Sequence, residues 1–241
     1  MLNLIESYSQ IYSSLIVLFS SVFFYLLFHY LHKKKIHDII ITPEISQEIM
    51  SLVDAIVLSI IGVLYVLNTN IDDYHKFNIY AFFNNYFIVG YCISHVYIEY
   101  KHNLLKIEMI LHHFLTIYLC VMCTTEYLFC SNIMNGLGHI PVIFLCNFLI
   151  FRQLPDYKKK YHNFYRYNRI LFAITFFIFK VIGYTVALYE GFYLALLYDN
   201  TWHLFYFMFF ITILQYYWGY LIYKKVFTSN VETKVPETGC G

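Results

Sequence analysis

Charged residues are scarce in this chain, where Asp, Glu, Lys and Arg together make up 13% of 241 residues. Apolar residues make up 60%, aromatic residues make up 22%, and the mean hydropathy is +0.57. This excess of apolar side chains excludes a globular domain with one core and predicts a polytopic membrane protein. The formal net charge of +1 gives no indication of nucleic-acid binding.

The motifs of common soluble enzymes are also absent. The chain has no P-loop, no GxSxG motif and no dinucleotide-binding fingerprint. Its six cysteines form no metal-binding or disulfide framework, because the one CxxC pair, Cys120 and Cys123, lies in an apolar run and has no second pair. We therefore expect neither a bound metal nor a bound cofactor.

Apolar runs close to the roughly 20 residues needed to cross a bilayer are numerous. The seven runs cover residues 11–31, 49–67, 78–98, 104–123, 127–151, 170–188 and 202–223. They predict an all-α bundle of about seven transmembrane helices. The boundary between the last two runs is the least defined, since residues 187–198 could extend the sixth helix, lie in the interface or re-enter the membrane.

Basic residues alternate between the loops that join these runs. One side of the predicted membrane carries 14 of the 16 Lys and Arg residues: Lys33, Lys34, Lys35, Lys101, Lys106, Arg152, Lys158, Lys159, Lys160, Arg166, Arg169, Lys224, Lys225 and Lys234. By the positive-inside rule this side is cytosolic, so the N-terminus is expected in the lumen or outside and the C-terminus in the cytosol. Binding of anionic lipid is a second explanation for the clusters at 33–35 and 158–160.

The first residues lack the basic segment of a signal peptide, so the first run is expected to be retained as a span. The predicted organisation is a first helix with a basic cytosolic loop over residues 1–48, a six-helix membrane domain over residues 49–227 and a cytosolic tail over residues 228–241.

Polar and ionisable side chains interrupt the fourth run, IEMILHHFLTIYLCVM, at residues 107–122. Glu108, His112 and Thr116 follow one another at i, i+4 and i+8 and therefore share a helix face, while His113 points about 100° away. An ionisable group at the centre of a bilayer costs about 2.5–3.5 kcal/mol on insertion scales. The cluster therefore predicts a site inside the bundle, and the alternative is that these residues only hydrogen-bond to neighbouring helices.

Three other runs place ionisable groups at a similar depth. With a rise of 1.5 Å per residue from the cytosolic end, Asp54 lies about 8 Å deep, Lys180 about 15 Å and His139 about 18 Å. Asn135 lies on the same helix face as His139. These side chains are candidates for substrate contact; the alternative is a buried Asp54–Lys180 ion pair and a hydrogen-bonded His139.

The segment IEMILHHFLTI resembles the central signature of the TLC-domain membrane proteins, a family that includes the ceramide synthases. The resemblance covers residues 49–227, and a third histidine, His139, stands 27 residues after His112, as it does in the synthase pattern. Lys180 in FFIFKV, and Gln215 with Trp218 in LQYYW, are similar to features of the wider family.

The chain also departs from the synthase pattern. The synthases resemble one another in carrying aspartates where this chain has Ile140 and Ile143. The short chain, the Gly90–Tyr91 pair and Pro141 resemble the smaller, non-synthase members of the family. In those members an aspartate tends to follow the Gly-Tyr pair, and here His95 occupies that place.

The resemblance implies a protein of lipid metabolism in the endoplasmic reticulum, with membrane lipids as partners and a homodimer left open. A synthase-like activity would transfer an acyl group from acyl-CoA, a co-substrate, to a long-chain amine. His112 or His113 would accept the amine proton or carry the acyl group, and Glu108 would hold the imidazole in place of the missing aspartates. Lys180 would stabilise the oxyanion or bind the CoA phosphates.

Two alternatives belong to other classes of function. The first is a non-catalytic lipid-binding protein or regulator of membrane composition, since isoleucine at two acidic positions is what loss of a proton-handling site would produce. The second is a transporter that uses the buried histidines as a proton relay. The spans show no internal repeat, which disfavours an inverted-repeat transporter.

Overall fold

The computed structural model describes residues 2–36, 39–69, 78–126, 129–198 and 201–227. The described residues form ten α-helices, one π-helical segment and one short hairpin. The elements are α1 (Leu2–Leu31), β1 (Lys35–Ile36), β2 (Ile39–Ile40), α2 (Pro43–Asn68), α3 (Ile79–Lys101), α4 (Ile107–Glu126), α5 (Phe129–Leu137), α6 (Ile140–Gln153), α7 (Pro155–Lys160), α8 (His162–Thr175), the π segment (Phe176–Ile182), α9 (Gly183–Leu197) and α10 (Trp202–Phe227). The prediction of an all-α helical bundle is confirmed; the tail at 228–241 lies outside the described residues.

Five helical stretches of the described chain are long and apolar enough to cross a membrane: Gln10–Leu31, Pro43–Asn68, Asn132–Gln153, His162–Leu197 and Trp202–Lys224. The protein is therefore an integral membrane protein. A further apolar helix, Ile107–Met122, is shorter. The seven-span count stays a prediction, and α3 is the other helix that it requires.

Local sequence determines where helices α2 and α3 begin. Helix α2 starts at Pro43, earlier than the apolar run at residue 49, because the side chain of Thr42 accepts a hydrogen bond from the backbone N–H of Ile45 at 3.3 Å. Proline at the first helical position fits this start. Asn78 caps α3 in the same way, accepting from the N–H groups of Tyr80 at 2.9 Å and Ala81 at 3.3 Å.

Two buried apolar clusters hold the bundle together. The first joins α1, α2 and α3 through side chains that include Phe24, Phe28, Met50, Leu58 and Ile88. The second joins α4, α5, α9 and α10 through side chains that include Leu119, Met134, Tyr184, Leu204 and Met208. The first cluster also includes Cys120 of α4, so α4 packs against both clusters.

Two irregular segments interrupt the spans predicted at 127–151 and 170–188. The first span breaks between Leu137 and Ile140, where Pro141 opens α6. The second continues from α8 through the π segment into α9 and ends at Leu197. Of the three alternatives for residues 187–198, the structure shows extension of the sixth helix.

Helices α2 and α5 cross at a pair of glycines. A Cβ atom on Gly62 would lie 2.7 Å from the Cα atom of Gly136, which is closer than any real side chain allows. Small residues at such crossings allow helices in membranes to approach closely. The crossing places the end of α5, and with it His139, against α2.

We expect Gly62→Ala to destabilise the protein, because the added methyl group meets the backbone of α5 and the two helices must move apart. The expected loss is roughly 1–3 kcal/mol, the usual cost of overpacking. The measurement is thermal unfolding of the purified protein in detergent. The matched control is Gly219→Ala in α10, where a Cβ would lie 3.2 Å from a movable methyl group of Val181. Equal melting temperatures for the two variants would contradict this account of the crossing.

Candidate functional site

Helices α3 and α4 meet at two buried histidines. The Nε2 atom of His113 on α4 lies 3.0 Å from the Nδ1 atom of His95 on α3, so a ring N–H on one nitrogen donates to the other. One turn further along α3, the Oε2 atom of Glu99 lies 3.7 Å from the same His95 nitrogen. His95, Glu99 and His113 are each no more than 5% exposed. The sequence brings His95 and Glu99 together because side chains at i and i+4 share a helix face.

Gln47, in the first turns of α2, completes this cluster from a third helix. Its Nε2 atom lies 2.9 Å from His95 Nε2 and donates a hydrogen bond of 2.8 Å to Glu99 Oε1. We refer to Gln47, His95, Glu99 and His113 as the α3–α4 cluster. It links three helices through polar contacts inside the bundle.

His112 points away from the α3–α4 cluster toward α10. Its ring lies 5.6 Å from that of His113 and 5.2 Å from that of Trp218, measured between centroids. Its Nδ1 atom is buried and has no hydrogen-bond partner. Lys180 and His139 lie close enough to His112 to interact with it electrostatically. His112 is therefore an imidazole with an unpartnered nitrogen, within electrostatic range of a buried lysine.

Lys180 lies on the π segment, is 7% exposed and forms no ion pair with a carboxylate of the described residues. Its Nζ atom lies 5.3 Å from the centre of the Tyr184 ring. A Cβ on Gly138 would lie 3.7 Å from Nζ, an ordinary contact distance, so the ammonium group packs against the break between α5 and α6. Short π segments inside α-helices frequently occur at functional sites.

His139 lies at this same break, as the residue that precedes α6. Its Nδ1 atom is buried without a hydrogen-bond partner. Gln215, one turn from Trp218 on α10, is fully buried and neither of its amide atoms has a partner. His112, His139, Lys180 and Trp218 thus come together, with Gln215 on the helix that carries Trp218.

The remaining sequence candidates are placed elsewhere or serve other contacts. Glu108 is exposed in the first turn of α4, and Thr116 has a buried hydroxyl with no hydrogen-bond partner. Asp54 is buried with its Oδ1 atom unpaired, and it forms no ion pair with Lys180. Asn135 donates a hydrogen bond of 2.8 Å to Asn85 of α3. The alternative of a buried Asp54–Lys180 ion pair is therefore wrong.

Sequence reasoning missed Gln47 and Glu99. Both lie just outside the predicted apolar runs, which cover residues 49–67 and 78–98, so neither was considered as an intramembrane group. The signal that could have found Glu99 is its i, i+4 spacing from His95. Gln47 has no comparable signal, since its position depends on how α2 packs against α3.

Within the described residues, three side chains offer donor atoms that could hold a metal ion together: His95, Glu99 and His113. Their donor atoms all lie within 4.8 Å of one another. The described cysteines Cys92, Cys120, Cys130 and Cys146 are free thiols.

The fold and this group of side chains define an all-helical integral membrane protein with a polar, histidine-rich interior. A family model described as the TLC domain matches residues 44–224, which is about three quarters of the chain. The chain belongs to the TLC-domain family, whose members act in membrane lipid metabolism and homeostasis. Neither a curated protein nor a solved structure matches the chain.

A second set of polar contacts connects α3 to α5, and its contribution to the stability of the protein can be measured. Asn85 donates to Asn132 at 2.9 Å and accepts from Asn135 at 2.8 Å. We expect Asn85→Ala to lower stability by about 1–3 kcal/mol, because it leaves buried amide groups unpaired. The matched control is Asn84→Ala, since Asn84 is similarly buried but its side-chain oxygen has no partner. Thermal unfolding in detergent compares the two, and an equal loss would argue against the network.

Proposed function

We propose that this protein transfers an acyl group from acyl-CoA to a long-chain amine, as ceramide synthases do, with His112 as the reacting imidazole. The observation that carries the proposal is the buried ring nitrogen of His112, which has no hydrogen-bond partner among the described residues and lies within electrostatic range of Lys180. Membership of the TLC-domain family supports it. So do the positions of His112, His113 and His139, which match the synthase signature.

In this mechanism His112 acts as a general base. As the amine nitrogen attacks the thioester carbonyl, His112 accepts a proton from that nitrogen. The new C–N bond forms, the C–S bond breaks, and the CoA thiolate leaves and takes the proton from the imidazolium. Base catalysis of this kind contributes about 10²- to 10⁴-fold in rate.

Lys180 has the charge needed for the transition state. Attack on the thioester places negative charge on the carbonyl oxygen. A buried cation that pairs with no carboxylate in the described part of the chain can stabilise that charge. The absence of an ion pair matters, because a bound carboxylate would compete with the oxyanion for the ammonium group. The aromatic ring of Tyr184 faces the same ammonium group.

The α3–α4 cluster supplies a carboxylate to a site that lacks the synthase aspartates. Glu108 is exposed, so we assign to Glu99 the orienting role expected of Glu108. Glu99 acts through His95 on His113, whose ring packs beside that of His112. In this proposal Glu99, His95 and His113 are positioning residues and His112 is the catalytic residue.

We expect His112→Ala to reduce acyl transfer at least about 10²-fold, because the proton acceptor is lost. The assay uses purified protein in liposomes with acyl-CoA esters of graded length and a long-chain amine, and detects the amide by mass spectrometry. The matched control is His162→Ala, which removes an exposed histidine on α8 and should leave the rate unchanged.

The replacement of two synthase aspartates by Ile140 and Ile143 favours a second candidate, a non-catalytic lipid-binding regulator of membrane composition. The same preparation separates the two functions. Folded wild-type protein that copurifies with lipid but forms no amide supports the regulator. A His112→Ala variant with full activity removes the catalytic assignment.

We further place the protein in the endoplasmic reticulum, with the N-terminus lumenal and the C-terminus cytosolic. The resemblance to the ceramide synthases supports the location. The distribution of basic residues supports the orientation, since 14 of the 16 lie on one side of the predicted spans. The orientation puts the basic loops on the side from which soluble, anionic acyl-CoA arrives.

Terminal epitope tags test this orientation. In sealed microsomes, protease added outside should remove a C-terminal tag and leave an N-terminal tag intact. Detergent should expose both tags, which controls for protease activity. Loss of the N-terminal tag in sealed vesicles would contradict the assignment.

A further inference from the structure

The α3–α4 cluster brings three strong metal donors together inside the bundle. His95 Nδ1, Glu99 Oε2 and His113 Nε2 belong to side chains that are each no more than 5% exposed, and the donor atoms of the three residues lie within 4.8 Å of one another. Two of the donors come from α3 and one from α4. A cation bound between them would join the two helices directly.

The distances between these atoms match those between ligands of a small cation. Zinc bonds to nitrogen and oxygen are about 2.0–2.1 Å long, which places tetrahedral ligand atoms about 3.3 Å from one another. Here the two histidine nitrogens lie 3.0 Å apart, and the Glu99 oxygen lies 3.7 Å from the His95 nitrogen. The donor atoms of Glu99 and His113 lie within 4.8 Å of each other, and side-chain rotation on cation binding would bring all three pairs to the tetrahedral spacing.

The carboxylate of Glu99 provides a second, independent reason to expect a cation at this position. Its Oε2 atom is buried and has no hydrogen-bond partner, although a buried polar atom normally has one. A proton shared between His95 and His113 explains the short distance between the rings but leaves this oxygen unpaired. A divalent cation satisfies the carboxylate and both ring nitrogens at once.

Gln47 occupies the place of an outer group that holds metal ligands in position. Its amide nitrogen donates a hydrogen bond to Glu99 Oε1, the carboxylate oxygen that does not face the proposed cation. The same nitrogen lies 2.9 Å from His95 Nε2, and this contact must rearrange when a cation binds His95 Nδ1, because the ring proton is then on Nε2. Groups that contact ligands in this way orient them, and their mutation typically lowers metal affinity 10- to 100-fold.

We propose that His95, Glu99 and His113 bind one zinc ion. Two imidazoles and one carboxylate form a ligand set found in zinc sites that keep a fourth position open. The site requires no cysteine, and for that reason it differs from the cysteine frameworks that the sequence excludes. The inference does not depend on acyl transfer by His112.

The test measures zinc in the full chain, purified in detergent with a tag that contains no histidine. Protein is dialysed against zinc chloride, washed with a weak chelator and assayed by elemental mass spectrometry. We expect about one zinc per chain in the wild type. Glu99→Gln and His95→Gln should each reduce this at least tenfold, and Gln47→Ala should weaken zinc affinity by about 10- to 100-fold.

Two controls complete the design. His112→Gln changes the histidine next to His113 but no proposed ligand, and His162→Gln changes an exposed histidine. Both should retain zinc, even though His112→Gln is expected to lose acyl transfer, so the two proposals can fail separately. Gel filtration and circular dichroism confirm that each variant is folded.

Background zinc in folded wild-type protein would overturn the proposal. So would full zinc occupancy in Glu99→Gln or His95→Gln, because these variants lack a proposed ligand. Should a ligand variant fail to fold, Gln47→Ala and a zinc-dependent rise in wild-type melting temperature decide the question. A ligand that binds only the folded state raises that temperature.

Discussion

The cost of placing a polar side chain in hydrocarbon constrains the whole arrangement of this bundle. In a bilayer no water is available to satisfy such a group, so polar side chains must face inward and find partners on other helices. Helix α3 shows the effect most clearly. Its buried Asn85 contacts α5, its His95 contacts α4 and its Glu99 contacts α2. Each contact fixes the rotation of a neighbouring helix as well as its distance.

Irregular backbone is the second feature that positions the site. A regular helix through residues 129–153 would carry its hydrogen-bond ladder past His139, whereas the chain breaks there and α6 begins anew. The π segment lies opposite the break and carries Lys180. Departures from regular helix are tolerated in membranes where other protein segments surround them. The break and the π segment together bring a cation and a histidine close to His112.

The apolar runs predicted the helices well because a span is defined by length and hydropathy, and both can be read from local sequence. Helix α3 is less obvious, since its buried polar residues lower its hydropathy. That His112 and His113 contact different helices was also predictable, because adjacent residues of an α-helix point to different faces. Accordingly His113 packs on α3 and His112 approaches α10.

The same geometry could not predict which side chains lie inside. Glu108 shares a face with His112, but it lies one turn, about 6 Å, nearer the end of the helix. At that depth α4 is no longer covered, and the carboxylate is exposed. Gln47 and Glu99 are the reverse case, because the sequence pattern places both outside the apolar runs. They stand at the edges of apolar runs, yet packing against neighbouring helices buries Glu99 and half-buries Gln47. Burial at the ends of spans depends on how far the adjacent helices extend. Local hydropathy carries no information about that.

The position of its buried carboxylate distinguishes this chain from the synthase pattern. The same position indicates what the α3–α4 cluster does. The synthase pattern places carboxylates on the helix that follows the third histidine, where this chain has Ile140 and Ile143. Loss of those groups alone would leave the histidines with apolar neighbours, and a buried imidazole without a partner is costly. Instead, a carboxylate and an additional histidine stand on α3, where Glu99 lies beside His95 and His95 contacts His113. A protein that had only lost its proton-handling residues would have no need for this second polar group, because apolar packing would be more stable there. The presence of Glu99 beside two histidines, where burial of a carboxylate is costly, therefore argues that the site binds a cation or moves a proton.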